Sequence, residues 1–453
     1  MTSVYEVINP ATEKVVKAIE LADEAATDAA IERAHKAFDT WRHVAPGDRA
    51  KLLRSFASVV SAHREELAAI EIENSGHTRG NALWEADNVA NVLNYYSAAP
   101  ERLFGKQIPV PNGIDITFKE PLGVIGVIVP WNFPMPIAGW GFAPALAAGN
   151  TVVLKPAEYT PMTAIRLGEL ALEAGLPKDV FTVIPGKGSI VGARFVTHPK
   201  VRKIVFTGST EVGKSIMAGC ADQVKRVTLE LGGKSANVIF ADSDIEKAAA
   251  NAPGAVFDNA GQDCCARSRI LVEKSAFDKF MSAFEIAVKK FRVEDPSLAT
   301  SDMGPMISAK QKAAVEKYLD EPVAFTGSAP SGAGFWLPPT VLLPTSTKSK
   351  AWNEEIFGPV VSVMTFDGED DAIAKANDTE FGLSGSIWTR DSGKAIRVSR
   401  AIESGNLSVN SNSSVRYWTP FGGYKQSGLG RELGPDALDS FTEVKNVFIS
   451  TEK

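Results

Sequence analysis

From residue 151 onward, short apolar runs alternate with stretches of helical periodicity, and this alternation limits the possible architectures more than any other feature. Thr151-Val152-Val153-Leu154 reads as a strand. The helix after it is expected to take Thr160 as N-cap and Pro161 as its first residue, and to end at Gly175. Strands follow at 180–184, 203–207 and 226–231, with helical segments between them. Such a series builds a mostly parallel sheet with helices on both faces, an α/β fold. A second series begins at Ala236-Asn237-Val238-Ile239-Phe240, which puts a boundary near residues 231–235. Earlier in the chain, Ile31, Ala34, Phe38 and Trp41 recur at helical spacing within residues 25–42. Residues 48–74 are expected to form one longer amphipathic helix.

Two segments fit neither series. Residues 107–119 alternate apolar Ile114, Ile116 and Phe118 with polar Asp115, Thr117 and Lys119, next to Asn112-Gly113. That dipeptide signals a type I′ hairpin. The tail at 441–449 is also strand-like.

A chain of 453 residues, 44% hydrophobic, has enough apolar surface for two or three domains. Its net charge of −6 is spread among interspersed acids and bases, which gives no footprint for nucleic acid or an anionic membrane surface. Met1-Thr2-Ser3-Val4-Tyr5-Glu6 lacks the regions of a signal peptide. The most apolar stretch, 121–154, is interrupted by Pro130, Asn132, Pro134, Pro136, Pro144 and Asn150, so no membrane-spanning helix is expected there. Three cysteines, two of them adjacent, make no disulfide framework and suit a reducing cytosol.

Chemistry enters at Gly261-Gln262-Asp263-Cys264-Cys265-Ala266, which lies 34 residues (264 minus 230) beyond Glu230 in Leu229-Glu230-Leu231-Gly232-Gly233-Lys234. The pair offers a thiol nucleophile and a carboxylate base, each beside glycines that let main chain approach a ligand closely. A third motif is Pro130-Trp131-Asn132-Phe133-Pro134. Together these resemble the aldehyde dehydrogenase superfamily, and the resemblance runs from Asn9-Pro10-Ala11-Thr12 to Ser440-Phe441-Thr442. It implies a Rossmann-like NAD-binding domain over 1–102 and 122–232 and an α/β catalytic domain over 233–435. The hairpin at 103–121 and a strand at 436–453 would form a small β oligomerisation arm. A cytoplasmic homodimer or homotetramer follows as the expectation.

The cofactor segments are less decisive on spacing alone. Phe206-Thr207-Gly208-Ser209-Thr210-Glu211-Val212-Gly213 follows a strand and opens a helix, where a pyrophosphate can meet backbone N–H groups. Its spacing is G-x-x-x-x-G rather than G-x-G-x-x-G, which does not separate it from an ordinary strand–helix turn. The resemblance assigns Gly208, Ser209 and Gly213 to the nucleotide turn. It also assigns Gly188, in Gly186-Lys187-Gly188, to a secondary contact bordering the adenosine, and adds Trp131 and Leu231. Lys155 and Glu158 match the family's adenosine-ribose pair. A carboxylate there accepts ribose hydroxyls and repels a 2′-phosphate, which favours NAD over NADP. In Glu354-Glu355-Ile356-Phe357-Gly358-Pro359, Glu355 would hold the nicotinamide ribose and Phe357 would pack by the ring.

Oxidising an aldehyde to an acid needs a nucleophile, a hydride acceptor and a water that releases the acyl group. The family pattern Gly-Gln-x-Cys makes Cys264 rather than Cys265 the nucleophile. Asn132 would donate its side-chain amide to the oxyanion together with the Cys264 N–H. Glu230 would activate the water. None of His35, His43, His63, His77 and His198 lies in a motif, which argues against a Cys–His hydrolase. Cys220 is expected as packing in a helix. Phe133, Trp140 and Phe421 match the aromatic substrate tunnel, with Tyr417 and Trp418 in the adjoining loop. Asp263 could raise the thiol pKa or attract a cationic aldehyde, and the expectation is that it points to solvent. Arg267 and Arg416 are candidates to meet a carboxylate tail. The segment Glu321–Trp336 is short for the family. The alternatives are an NADP-preferring semialdehyde dehydrogenase and a non-catalytic binding protein on the same scaffold.

Overall fold

The computed structural model describes residues 3–413 and 415–452, so Met1 and Thr2 of the N-terminal reading and Lys453 of the C-terminal segment lie outside the described residues. Strands β1 (Ser3–Ile8) and β2 (Val15–Leu21) pair as an antiparallel ribbon. Helices α1 (Glu24–Trp41), α2 (Pro46–Ala62), α3 (Arg64–Ser75) and α4 (Arg79–Ser97) follow. The stripe Ile31, Ala34, Phe38, Trp41 of α1 is buried, as its spacing predicts. The single helix expected over 48–74 is instead broken at His63. There the backbone leaves helical geometry (φ −101°, ψ 18°), and the ring Nδ1 bonds the Val59 carbonyl. Apolar spacing runs on through this break because α2 and α3 bury faces against the same helix, α4.

The hairpin consists of β3 (Gln107–Val110) and β4 (Gly113–Pro121). Its turn is not type I′. Val110 pairs with Gly113, so the loop residues are Pro111 and Asn112, and of these only Asn112 has positive φ (57°). Proline followed by a left-handed Asn is the signature of a type II turn. Gly113 is needed for another reason: a Cβ there would meet the Phe448 ring of the C-terminal strand.

Next come β5 (Val124–Ile128), α5 (Pro134–Ala147), β6 (Thr151–Lys155), α6 (Met162–Glu173), β7 (Phe181–Val183), α7 (Ala193–Thr197), β8 (Val201–Thr207), α8 (Thr210–Ala221) and β9 (Arg226–Glu230). Helix α6 starts one residue later than expected, with Pro161 at its cap. The Thr160 hydroxyl does not cap the helix. It bonds the Trp131 carbonyl and so ties α6 to the Trp131–Asn132 loop.

These strands form a sheet in the order β9-β8-β5-β6-β7, all parallel, with β19 (Gly428–Leu429) added antiparallel at the β9 edge. Helices cover both faces. Phe56, Tyr96 and Phe142 pack on one side; Ile31, Phe195 and Ile216 pack on the other. The chain runs β5, β6, β7 in one direction and then returns to β8 and β9. Strand order therefore reverses between β5 and β8, and a crevice opens outside their carboxyl ends.

The second sheet comprises β10 (Ala236–Ile239), β11 (Arg269–Glu273), β12 (Val323–Thr326), β13 (Thr340–Leu342), β14 (Val360–Phe366), β16 (Ser384–Trp388) and β17 (Asn406–Val409). Its order is β12-β13-β14-β11-β10-β16-β17, parallel except at β12. Strand β15 (Phe381–Gly382) pairs separately with β18 (Tyr424–Lys425). Helix α9 (Ile245–Phe257) follows β10 and leads to the Cys264 segment. The tail forms β20 (Thr442–Ser450), paired along β4. The short stretch before Trp336 rests on the N-terminal turn, with Phe335 N–H on the Pro10 carbonyl and Gly334 N–H on Glu13.

Candidate active site

Three loops meet at the carboxyl end of the first sheet. The first leaves β5 as Pro130-Trp131-Asn132-Phe133 and enters α5, a helix buried over its whole length. The second leaves β9 at Glu230 and passes through Gly232-Gly233. The third follows α9, where Asn259 and Ala260 (φ 50° and 54°) and Gly261 (φ 68°) take left-handed geometry in succession. This sharp reversal aims Cys264 back at the sheet. A Cβ on Gly261 would strike the Gly358 carbonyl, and one on Gly233 would strike the Cys264 carbonyl. Glycine at these two places allows the thiol segment, the Glu230 segment and the Glu355–Gly358 segment to converge.

Hydrogen bonds fix the convergence. The Asn132 side-chain amide donates to the Gln262 carbonyl at 3.0 Å, and Asn259 Nδ2 donates to the Asn132 carbonyl at 2.8 Å. Gln262 itself is held by the Ile307 N–H on its Oε1. Asn132 and Cys264 therefore sit on strands of chain that are directly bonded to one another.

Cys264 lines two spaces at once. On one side is a cleft formed by Pro130, Trp131, Asn132, Thr207, Gly208, Ser209, Leu231, Gly232, Gln311, Glu355 and Phe357. On the other is an apolar pocket walled by Trp84, Phe133, Pro136, Ile137, Trp140, Val415 and Phe421, with Glu230, Asp263, Cys265 and Glu432 at its polar end. Trp140 and Phe421 meet with tilted rings, centroids 5.2 Å apart, and Trp140 Nε1 donates to Asn88. In the cleft, Ser209 caps α8 by accepting the Val212 N–H. Phe357 (φ 56°) meets Trp131 edge-on at 5.2 Å, and Glu355 accepts the Gly233 N–H at 2.8 Å. Burial pushes the Glu355 carboxyl up to about 7.

Some of the sequence candidates lie apart from Cys264. Glu158 and Gly188 meet each other, the Gly188 N–H donating to Glu158 Oε1 at 2.8 Å. Lys155 is buried with its ammonium on the Pro156 carbonyl. Gly213 packs under Leu231. None of these four lines the cleft at Cys264. Cys220 is a buried helix residue, as expected.

Other expectations are overturned. Asp263 does not point to solvent. Its carboxylate accepts the Cys265 N–H at 2.8 Å inside the apolar pocket, and burial raises its pKa. Tyr417 packs on Tyr95, and Trp418 stands half exposed; neither lines the pocket. Arg267 is buried among the carbonyls of Cys265, Gly385 and Asn412 and the Ser386 hydroxyl, a structural tie for the Cys segment. Arg416 is exposed.

Glu432 is the residue that sequence reasoning missed. It is buried beside Glu230, and among the described residues neither carboxylate finds a hydrogen-bond partner for either oxygen. Burial, and then mutual repulsion, push Glu230 well above the usual carboxylate range. Burial also pushes Glu432 up to about 8. Gly430-Arg431-Glu432-Leu433-Gly434 carries no spacing signal that links it to Glu230; the antiparallel pairing of β19 with β9 does that. The Cys264 thiol is also raised, by its contact with Cys265, by burial, and by the Cys265, Asp263 and Glu355 charges. Burial thus disfavours the charged forms of the thiol and of the acids around it.

Comparison with known proteins bears on the family and the fold. Residues 1–447 match the model of the aldehyde dehydrogenase family. The chain is 40% identical over 452 residues to an aldehyde dehydrogenase of Emericella nidulans, covering 98% of this chain and 91% of that one. It is 37% identical to the betaine aldehyde dehydrogenase of Bacillus subtilis, over 99% and 94% of the two chains. Among solved structures, betaine aldehyde dehydrogenase from Staphylococcus aureus in complex with NAD+ superimposes with a TM-score of 0.97. It is 37% identical, with 100% of this chain and 92% of that one covered.

Proposed function

This chain belongs to the aldehyde dehydrogenase family, and we propose that it uses NAD to oxidise an aldehyde to the carboxylic acid through Cys264. The observation that carries the reading is the position of Cys264, shared between the Gly208–Ser209 cleft and the aromatic pocket. A nucleophile there has an aldehyde on one side and a hydride acceptor on the other.

The residues of the cleft fit a dinucleotide. Gly208 follows a parallel strand at the switch point, Ser209 caps the helix whose N-terminus faces the cleft, and the buried Thr207 hydroxyl lacks a partner among the described residues. When bound, NAD supplies the hydride acceptor. Glu158 disfavours the 2′-phosphate of NADP. The Cys264 thiol gives its proton to solvent as its sulfur adds to the carbonyl carbon, and the Asn132 amide with the Cys264 N–H receives the oxyanion. Collapse of this thiohemiacetal with loss of hydride leaves a thioester on Cys264. Glu230 takes a proton from the water that hydrolyses the thioester, and the thiol is regenerated.

Among the described residues no basic side chain lines the pocket, and Asp263, Glu230 and Glu432 supply its polar end. This disfavours a carboxylate-tailed aldehyde and suits an apolar or cationic tail, because aromatic walls accept both. No helix among the described residues is long and apolar enough to cross a membrane. The β3–β4–β20 sheet exposes Ile114, Phe118, Val444, Phe448 and Ile449, which supports its use as a dimer or tetramer contact, readable by sedimentation velocity.

The test is NADH formation from NAD, with NADP in parallel, against aliphatic, aromatic, amino- and carboxy-aldehydes, with Cys264→Ala as control. The expected result is NAD-dependent turnover of uncharged or cationic aldehydes that vanishes in the variant. Turnover surviving in Cys264→Ala would sink the assignment of the nucleophile.

A further inference from the structure

A second cluster of ionisable side chains, which the chemistry above does not use, packs against the Asn132 loop. His77, in the connection between α3 and α4, is 2% exposed, and Glu85 on α4 is 0% exposed. His77 Nδ1 is hydrogen-bonded to Glu85 Oε1. Glu71 on α3 and Asp258 beyond α9 also face the imidazole. Glu71 is bonded to the Thr163 hydroxyl of α6 at 2.6 Å, and Asp258 to Asn81 Nδ2 at 2.6 Å. Burial raises Glu71 to about 7 and Glu85 and Asp258 upward, and it lowers His77. All four directions disfavour the charged forms, and hydrogen bonds to one another, to Thr163 and to Asn81 hold these groups in place. Glu71, His77 and Glu85 are residue types that take metals, but Nδ1 and Oε1 are in direct contact, with no room for an ion between them.

The array borders the loop at two points. The imidazole faces the main chain of Asn132, and its ring packs against Phe133 with centroids 5.5 Å apart. The Glu85 carboxyl faces the main-chain N–H of Met135, in the first turn of α5. Phe133, the residue ahead of α5, has no side chain able to cap it. The pair therefore lies against the chain on both sides of Asn132–Phe133, opposite the hold of Asn259 on the Asn132 carbonyl.

We propose that His77, seated by Glu85, is a positioning residue that fixes the Asn132 amide where the oxyanion forms. The proposal rests on the reading of Asn132 as the oxyanion donor. With Nδ1 engaged by Glu85, Nε2 is the ring nitrogen left for the Asn132 main chain. Removing an oxyanion donor outright costs about a hundredfold to a thousandfold in rate. Loosening one costs less, on the order of tenfold to a hundredfold.

Two substitutions separate positioning from packing. His77→Phe keeps a ring beside Phe133 and deletes the Glu85 hydrogen bond and the polar contact with the Asn132 main chain; His77→Gln keeps a donor. The expected result is a kcat for His77→Phe lowered by about tenfold to a hundredfold, with KM for NAD and aldehyde within about threefold of the parent. His77→Gln should recover most of the loss, and neither variant should lose further activity when combined with Asn132→Ala. The proposal is overturned if His77→Phe keeps parental kcat, or if the kcat losses of both variants simply follow their melting temperatures. If His77→Phe does not fold, Glu85→Leu unseats the ring from the other end, and full kcat in that variant overturns the proposal equally. Asn132→Ala alone tells the two failures apart. Full activity there removes the oxyanion reading itself, whereas a large loss there beside an intact His77→Phe removes only the clamp.

Discussion

The cleft on one side of Cys264 is built largely from main chain: glycines at 208 and 232, the start of α8, and a carboxylate bonded to a backbone N–H. The pocket on the other side is built from side chains, with aromatic walls gathered from α4, α5 and the loop before β18, and acids that lack hydrogen-bond partners. The contrast follows from what each space has to recognise. A dinucleotide is long and invariant, so backbone groups at a strand–helix turn serve it, and those need glycine at particular places. A variable aldehyde tail is selected by shape and charge, which any set of residues brought together by the fold can provide. The pocket side also carries the cost: Glu230 and Glu432 are buried without a hydrogen-bond partner among the described residues, a strain of the kind kept at functional sites.

The largest expected effect is on the pocket side. Glu230→Gln should leave acylation and the first NADH burst intact while slowing steady turnover by about a hundredfold to ten-thousandfold, because the base for the water is gone. Rapid-mixing measurement of NADH checks this; loss of the burst itself would move Glu230 into the acylation step and blur the division between the two sides.

A smaller effect is expected at Asp263. Asp263→Asn should lower kcat/KM for cationic aldehydes by about tenfold relative to neutral ones, the size of one pKa unit of interaction. The thiol pKa should fall, since the Asp263 charge raises it. Alkylation of Cys264 against pH reads the second effect, and competition between two aldehydes reads the first. Identical preference in parent and variant would remove Asp263 from specificity.

The last effect is on stability rather than on turnover. Glu432 is raised to about 8 in the folded protein, against about 4.3 in an unfolded chain. The folded state therefore holds a proton that the unfolded state releases. Its stabilising contribution is complete below about pH 4 and is lost as pH rises toward 8. Glu432→Gln should be more stable than the parent by on the order of 2 kcal/mol at pH 7, with the gap closing toward pH 4. Denaturant melts at several pH values check this, and a gap that widened in acid would contradict the buried, protonated acid.

How far the sequence could be read tracks the same division. Strand–helix alternation foretold the parallel sheets, because helix and strand periods are local properties. The motifs carrying Asn132, Glu230 and Cys264 were legible together, through their resemblance to the aldehyde dehydrogenase superfamily, and not from any one of them alone. Lys155 and Glu158 were legible as candidates, yet they lie away from the cleft at Cys264. The break at His63 was not legible, since both helices carry continuous apolar spacing against a common partner. The turn at Pro111–Asn112 was misread because Asn-Gly is also the pattern of a different turn. The solvent orientation expected of Asp263 failed because a side chain next to the nucleophile has no periodicity to reveal its direction.

What the chain determined by itself is therefore the architecture, the thiol, its amide and carboxylate partners, and the glycines that let them converge. These depend on short-range rules of propensity, turn geometry and reactivity. The tertiary structure alone decided that Glu432 stands beside Glu230, that Asp263 faces inward, that Arg267 is structural, and that the His77–Glu85 pair lies against the Asn132 loop. Each of these joins residues tens or hundreds of positions apart, and their protonation is set by burial, which exists only once the chain has closed around them.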